Sequence, residues 1–140
     1  TFKECINAIK NLQNMDIIYE HLILKATTPV YNIINIQKQK DDKLGLRYLL
    51  KPVEITDDKR INFPIFMIMI INPNSLAEKN TIRLGSQIIQ INDIDVTLEN
   101  YDKLIQNENL KLKVNTSYCM IYQLLLREGV RFNYDYLDDK

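Results

Sequence analysis

The sequence predicts a small domain that is mostly β with some α, an α+β fold, and three observations point to it. Runs rich in β-branched and aromatic residues recur from Val30 onward. Clusters of turn-forming residues, among them Asn72-Pro73-Asn74-Ser75 and Asn92-Asp93, separate them. Apolar spacing of three and four, the mark of helix, is confined to the first 25 or so residues and to short stretches after Ser75 and Thr97. At 140 residues the chain suits one compact domain with some added structure.

Phe2, Ile6 and Ile9, followed by Leu12 or Gln13, place one helical face over the N-terminal segment, and Thr27-Thr28-Pro29 ends it. Between them, Ile17-Ile18 and Leu22-Ile23-Leu24 fit a continued helix or a strand. Residues 30–36 read as the first strand. The charged turn 38–43 leads to a second, residues 44–50, that opens on Gly45. Residues 51–62 are polar and read as a long mobile loop. Residues 63–71 are apolar on both faces, which predicts a central strand.

Ser75 can cap one helical turn over 76–79. Ile88-Ile89-Gln90-Ile91 reads as a fourth strand, turned at Asn92-Asp93 into an extended 94–96. Thr97 can cap a helix with apolar positions Leu98, Tyr101, Leu104 and Ile105. Leu110, Leu112 and Val114 alternate like a strand but could also prolong that helix. Residues 118–126 read as a strong strand. Arg127-Glu128-Gly129 reads as a hairpin turn, and Val130, Phe132, Tyr134 and Tyr136 alternate as a last strand. The resulting divisions are a helical extension over 1–28, a domain over 29–131, and a C-terminal strand and tail over 132–140.

Composition excludes several functions. Eighteen basic and eighteen acidic residues balance to a net charge of +0, so no extended phosphate-binding surface is expected and nucleic acid is not an expected partner. The longest apolar run, residues 65–71, is too short to span a bilayer and fits a buried strand. The two cysteines, Cys5 and Cys119, are read as free thiols of an intracellular, cytoplasmic protein; a disulfide would need the N-terminal segment to lie on a late strand. The chain begins at Thr1 without a signal-like pattern, which reads as a piece of something longer.

One histidine, His21, and no nucleophile motif leave no catalytic constellation, so no enzymatic activity is expected of these residues. His21 and two distant cysteines do not form a metal-ligand cluster, and three glycines build no phosphate loop; neither metal nor cofactor is expected. The acidic pairs Asp41-Asp42, Asp57-Asp58 and Asp138-Asp139 read as solvated loops or tail.

Two stretches in order carry a resemblance. Lys43-Leu44-Gly45-Leu46 is similar to the carboxylate-binding loop of PDZ domains, an apolar–Gly–apolar motif opening the second strand. Asn74-Ser75-Leu76-Ala77, followed by Leu84-Gly85-Ser86-Gln87-Ile88-Ile89-Gln90-Ile91-Asn92, resembles that family's helical turn, Leu-Gly-Asp, strand and Asn-Gly run. Leu124-Leu125-Leu126-Arg127-Glu128-Gly129 also looks like its last strand and turn. The resemblance covers roughly residues 30–130. It departs at Ser86, where the family has Asp, and at Asp93, where it has Gly. Asp93 is thereby expected at a positive φ, which Asp tolerates better than most residues.

The resemblance implies a small, partly open β-barrel or sandwich of five to six strands with one short and one longer helix. It implies a protein-interaction or scaffold module, of a kind used in signalling, that binds the C-terminal segment of a partner. Gly45 would let successive N–H groups converge on a carboxylate. Leu44 and Leu46 would line the pocket below, and the peptide would pair along Leu46, Arg47, Tyr48 and Leu49 as an added strand.

Leu98 and Asp102 would face the groove from the helix, with Tyr101 and Ile105 in the core; a shift of one residue would expose Tyr101 instead. Leu98 would favour an apolar residue at the ligand's third-from-last place. Arg47, Lys43 and Lys40 stand near the loop, as carboxylate helpers or as solvated charges. Two further readings stand beside this one. The module could be the substrate-recognition domain of a protease-type enzyme. It could also be a structural or oligomerising domain whose groove is filled by its own flanking segment, the N-terminal one by expectation.

Overall fold

Leu110, Leu112 and Val114 resolve as strand, and all three are buried. The computed structural model of the chain describes residues 15–54, 62–129 and 137–139. In order, they form α1 (Met15–Thr27), β1 (Tyr31–Gln37), β2 (Leu46–Leu49), β3 (Val53–Glu54), β4 (Asn62–Phe63), β5 (Ile68–Ile71) and α2 (Leu76–Lys79). There follow β6 (Gln87–Ile91), β7 (Ile94–Asp95), α3 (Tyr101–Leu104), β8 (Asn109–Asn115), α4 (Cys119–Arg127) and β9 (Leu137–Asp139). The architecture is α+β, with antiparallel sheets that do not close into a barrel. None of the described helices is long and apolar enough to cross a membrane.

One sheet has the order β1-β8-β6-β7, the other β5-β2-β9. They meet where Met67 bridges Gln87 and where the Ile68 amide donates to the Ser86 carbonyl at 2.7 Å. β2 serves two apolar clusters. Leu46 and Tyr48 pack with Ile36, Phe66, Ile88, Tyr101 and Leu112. Leu49 packs with Phe63, Met67 and Met69 and with residues of both long helices. α1 brings Leu22, Ile23 and Ala26 to that second cluster and α4 brings Ile121, Tyr122 and Leu125. The Ser117 hydroxyl, just before α4, donates to the Ala26 carbonyl at 2.9 Å. Leu22, Ile23 and Ala26 of the first helix are therefore spent inside the chain, while Leu24 is exposed. Residues 1–14 of the expected N-terminal helix, Cys5 included, lie outside the described residues.

Several expectations are corrected. The strand expected over residues 118–126 is instead the helix Cys119–Arg127: Cys119, Tyr122 and Leu125 are buried three apart while Met120 is exposed. That is helical spacing, and Met, Gln, Leu and Arg are good helix formers. The Tyr122 hydroxyl donates to the Met69 carbonyl at 2.6 Å, which fixes the helix over β5. Arg127-Glu128-Gly129 ends this helix rather than turning a hairpin. Gly129 has φ +88 and its amide donates to the Leu126 carbonyl, as a helix-stopping glycine does. The expected strand over 130–136 lies outside the described residues.

The single strand expected over 63–71 is broken. Pro64 begins a turn closed by the Met67 amide on its carbonyl at 3.3 Å, with Phe66 at φ +65. β4 thus pairs with β3 across the polar loop, whose residues 55–61 lie outside the described residues. Asp138-Asp139 lies in strand β9 rather than in an unstructured tail. Asp93 has φ +68 and Asn92 φ +52, the positive pair expected of that turn. Lys111 ties it down, bonding Asn92 Oδ1 through its amide and Asp93 Oδ1 through Nζ, both at 2.8 Å.

Buried Cys119 makes a prediction. Burial pushes its thiol up, an effect larger than the opposing one of the Ser86 hydroxyl 3.5 Å from Sγ. In a Cys5→Ser background, a thiol reagent should modify Cys119 only at the rate of unfolding. Because the folded thiol holds its proton more tightly, the stability that the buried, protonated thiol contributes is complete below the unfolded thiol's ordinary value. It is lost as pH rises through that value toward the folded one. Urea melts across alkaline pH check the sign.

Candidate functional site

The candidate site is built where β2 begins. Ser75, with φ −77 and ψ 167, caps α2: its hydroxyl accepts from the Glu78 amide at 3.2 Å, and Glu78 Oε1 accepts from the Asn74 amide at 3.0 Å. This reciprocal cap fixes a turn that binds the neighbouring loop. The Ala77 amide donates to the Leu44 carbonyl and the Asn72 amide to the Gly45 carbonyl, both at 2.8 Å.

Those two bonds orient the loop. The peptide bonds are trans, so each N–H points opposite to the carbonyl of its own peptide unit. With the Leu44 and Gly45 carbonyls turned to the α2 side, the Gly45 and Leu46 N–H groups point away from it. Gly45 stands between them in the left-handed region, at φ +80. Gly45 is also required sterically. A Cβ there would lie 2.3 Å from Ser75 Cβ.

β2 offers its outer edge in the same direction. The Leu49 amide donates to Met67 and its carbonyl accepts from Phe66, so the polar groups of Leu49 are used on the β5 side, as is the Gly45 carbonyl. By strand alternation, Leu46 and Tyr48 present their backbone groups to the opposite edge. β9 occupies that edge. It runs antiparallel, with Leu137 opposite Leu49, Asp138 opposite Tyr48 and Asp139 opposite Arg47. Its C-terminal direction leads toward the Gly45 and Leu46 amides.

Beside this end of β2 lies a cavity of about 270 Å³ between the 38–44 loop and α3, lined by Lys38, Lys40, Asp41, Asp42, Lys43, Leu44, Asp102, Ile105 and Gln106. Of the residues singled out from sequence, Leu44 and Asp102 meet here, together with Lys40 and Lys43. Leu46, Tyr48 and Leu49 have buried side chains, so at this edge Leu46 and Tyr48 contribute backbone only, and Leu49, whose backbone bonds run to the β5 side, contributes neither; Arg47 is half-buried. Leu98 is exposed but does not line the cavity. Ile105 and Gln106, which sequence reasoning did not assign to the groove, do.

The reason is the length of α3. Thr97 and Asn100 bond reciprocally, the Thr97 amide to Asn100 Oδ1 at 2.8 Å and the Asn100 amide to Thr97 Oγ1 at 3.1 Å. Helix then lasts one turn, because the Asn107 side chain caps the Leu104 carbonyl at 2.9 Å and the chain leaves for β8. Tyr101 is buried, so Asp102 faces outward as expected. The expected longer helix is absent here, and Leu98 sits ahead of the turn rather than along a groove wall. His21 is exposed on α1. Among the described residues no three His, Cys, Asp or Glu side chains group as metal ligands.

No family model matches the chain, and a search of curated proteins finds no match.

Proposed function

We propose that the chain is a PDZ-like interaction module that takes an extended segment of a partner protein as an added strand on β2. The observation that carries this reading is the β2 edge itself. An antiparallel strand already lies on it, oriented so that its C-terminal direction meets the Gly45 and Leu46 amides. A partner in the same sense would bring its terminal carboxylate to those two N–H groups for charge-assisted bonds. Backbone pairing with Leu46 and Tyr48 would supply affinity. The last side chain would enter the cavity at Leu44 and Ile105, whose rim sets Lys38, Lys40 and Lys43 against Asp41, Asp42 and Asp102 and so adds no net formal charge.

The order of elements also supports the reading: strands, a capped helical turn, a strand pair turned at Asn92-Asp93, a short helix and a closing strand that pairs with the first. An intracellular scaffold or signalling role belongs to the same proposal, as does use as the recognition domain of a larger enzyme.

The test is a screen of peptides with free C-termini, each paired with its C-terminal amide, against the full chain. Acids are expected to bind at least about tenfold tighter than amides, since a lost charged hydrogen bond costs about 1.5–3 kcal/mol. Equal binding of both forms would remove the carboxylate site at Gly45 and Leu46.

A further inference from the structure

We infer that the first ligand of the β2 edge is the chain's own segment Leu137–Asp139, so that outside partners bind by displacing it. This rests on the reading of β2 as a strand-accepting edge and adds how that edge is regulated. Three observations carry it. The β9 register on Arg47, Tyr48 and Leu49 covers most of β2, which is four residues long. Alternation makes Tyr48 and Asp138 the pair that exchanges hydrogen bonds, so the intramolecular strand uses the same backbone groups a partner would use. β9 also spans only three residues, against seven paired positions between β1 and β8.

Three paired residues make a weak ladder on their own. Because β9 belongs to the same chain, with only seven residues between it and Gly129, its effective concentration at the edge exceeds that of a free partner. A free partner therefore competes with a neighbour that is always present, and its apparent affinity falls by the fraction of time the edge is open. Ligands that pair over three residues alone lose this competition. Those that also reach the Gly45 and Leu46 amides with a carboxylate, or extend further along β2, win it. The device sets a threshold for binding.

The experiment uses the full chain and its Asp138→Pro variant. Proline removes the amide that pairs with Tyr48. The probe is a labelled peptide of residues 132–140, Phe-Asn-Tyr-Asp-Tyr-Leu-Asp-Asp-Lys, acetylated and amidated. The variant should bind it at least about tenfold tighter than the parent, the shift expected when an edge goes from about one-tenth open to fully open. Equal affinity for the two chains would overturn the inference and leave the proposed function standing. Absence of binding to both would also overturn it. The free-carboxylate peptides then decide the other question: if the variant binds none of them, the reading of β2 as a binding edge falls as well. In the unmodified chain, saturating free-carboxylate peptide should speed hydrogen exchange at the 137–139 amides. Unchanged exchange under saturation would contradict displacement whatever the variant's folding.

Discussion

Gly45→Val is expected to destabilise the protein by about 3 kcal/mol or more, from a left-handed backbone costing about 1–2 kcal/mol and overpacking costing about 1–3 kcal/mol. In the sequence only the turn is visible. The structure adds Ser75. At φ +80, a new Cβ lands 2.3 Å from Ser75 Cβ, on the residue whose cap holds α2. The two costs separate in a mutant cycle read by urea denaturation. Gly45→Ala carries both. Adding Ser75→Gly removes the opposing Cβ at a few tenths of a kcal/mol for the cap and should recover the steric part alone. No recovery would mean that contact with Ser75 is not what requires the glycine.

Tyr48→Ala is expected to cost about 3–5 kcal/mol, in the range for truncating a fully buried aromatic side chain. Its ring centroid lies 4.6 Å from that of Tyr101 and 5.4 Å from that of Phe66, so the loss empties the space between β2, α3 and the turn before β5. Leu98→Ala supplies the contrast. Leu98 is 56% exposed, and its truncation should change stability by no more than about 0.5 kcal/mol. Thermal unfolding of the two variants beside the parent checks both. A mild Tyr48→Ala would place its side chain outside the core and reopen it as a ligand contact.

Local chemistry made part of this molecule legible. The β-branched run at Ile33-Ile34 became β1, the Ser75 cap became α2, and Asn92-Asp93 became a turn with both residues at positive φ. The failures came where tertiary context decides. Ile121 and Tyr122 carry β-propensity, but a helical face made of Ile121, Tyr122 and Leu125 shares one cluster with α1, and packing overrode local preference. Phe66 at positive φ is invisible in an apolar run until the turn closed on Pro64 is seen.

The site divides in the same way. Gly45 was legible because few other residues adopt its backbone conformation. The direction of the Gly45 and Leu46 amides was not, since it follows from bonds to Ala77 and Asn72 about thirty residues away. Nor was the occupant of β2. The self-occupied reading, one of three, puts the N-terminal segment there, while the strand on this edge is C-terminal and pairs with residues about ninety positions earlier.

The central claim, that partners add to the outer edge of β2 with their carboxylate at the Gly45 loop, is tested most directly by nuclear magnetic resonance. The ¹⁵N-labelled full chain is titrated with the tightest free-carboxylate peptide and then with its amide. The account predicts the largest amide shifts at Gly45, Leu46 and Tyr48, with Tyr31–Gln37 of β1 unmoved, and loss of the Gly45 and Leu46 shifts with the amide. Largest shifts on β1 or on the face carrying Leu24 and Met120, or the same Gly45 shift with acid and amide, would contradict it.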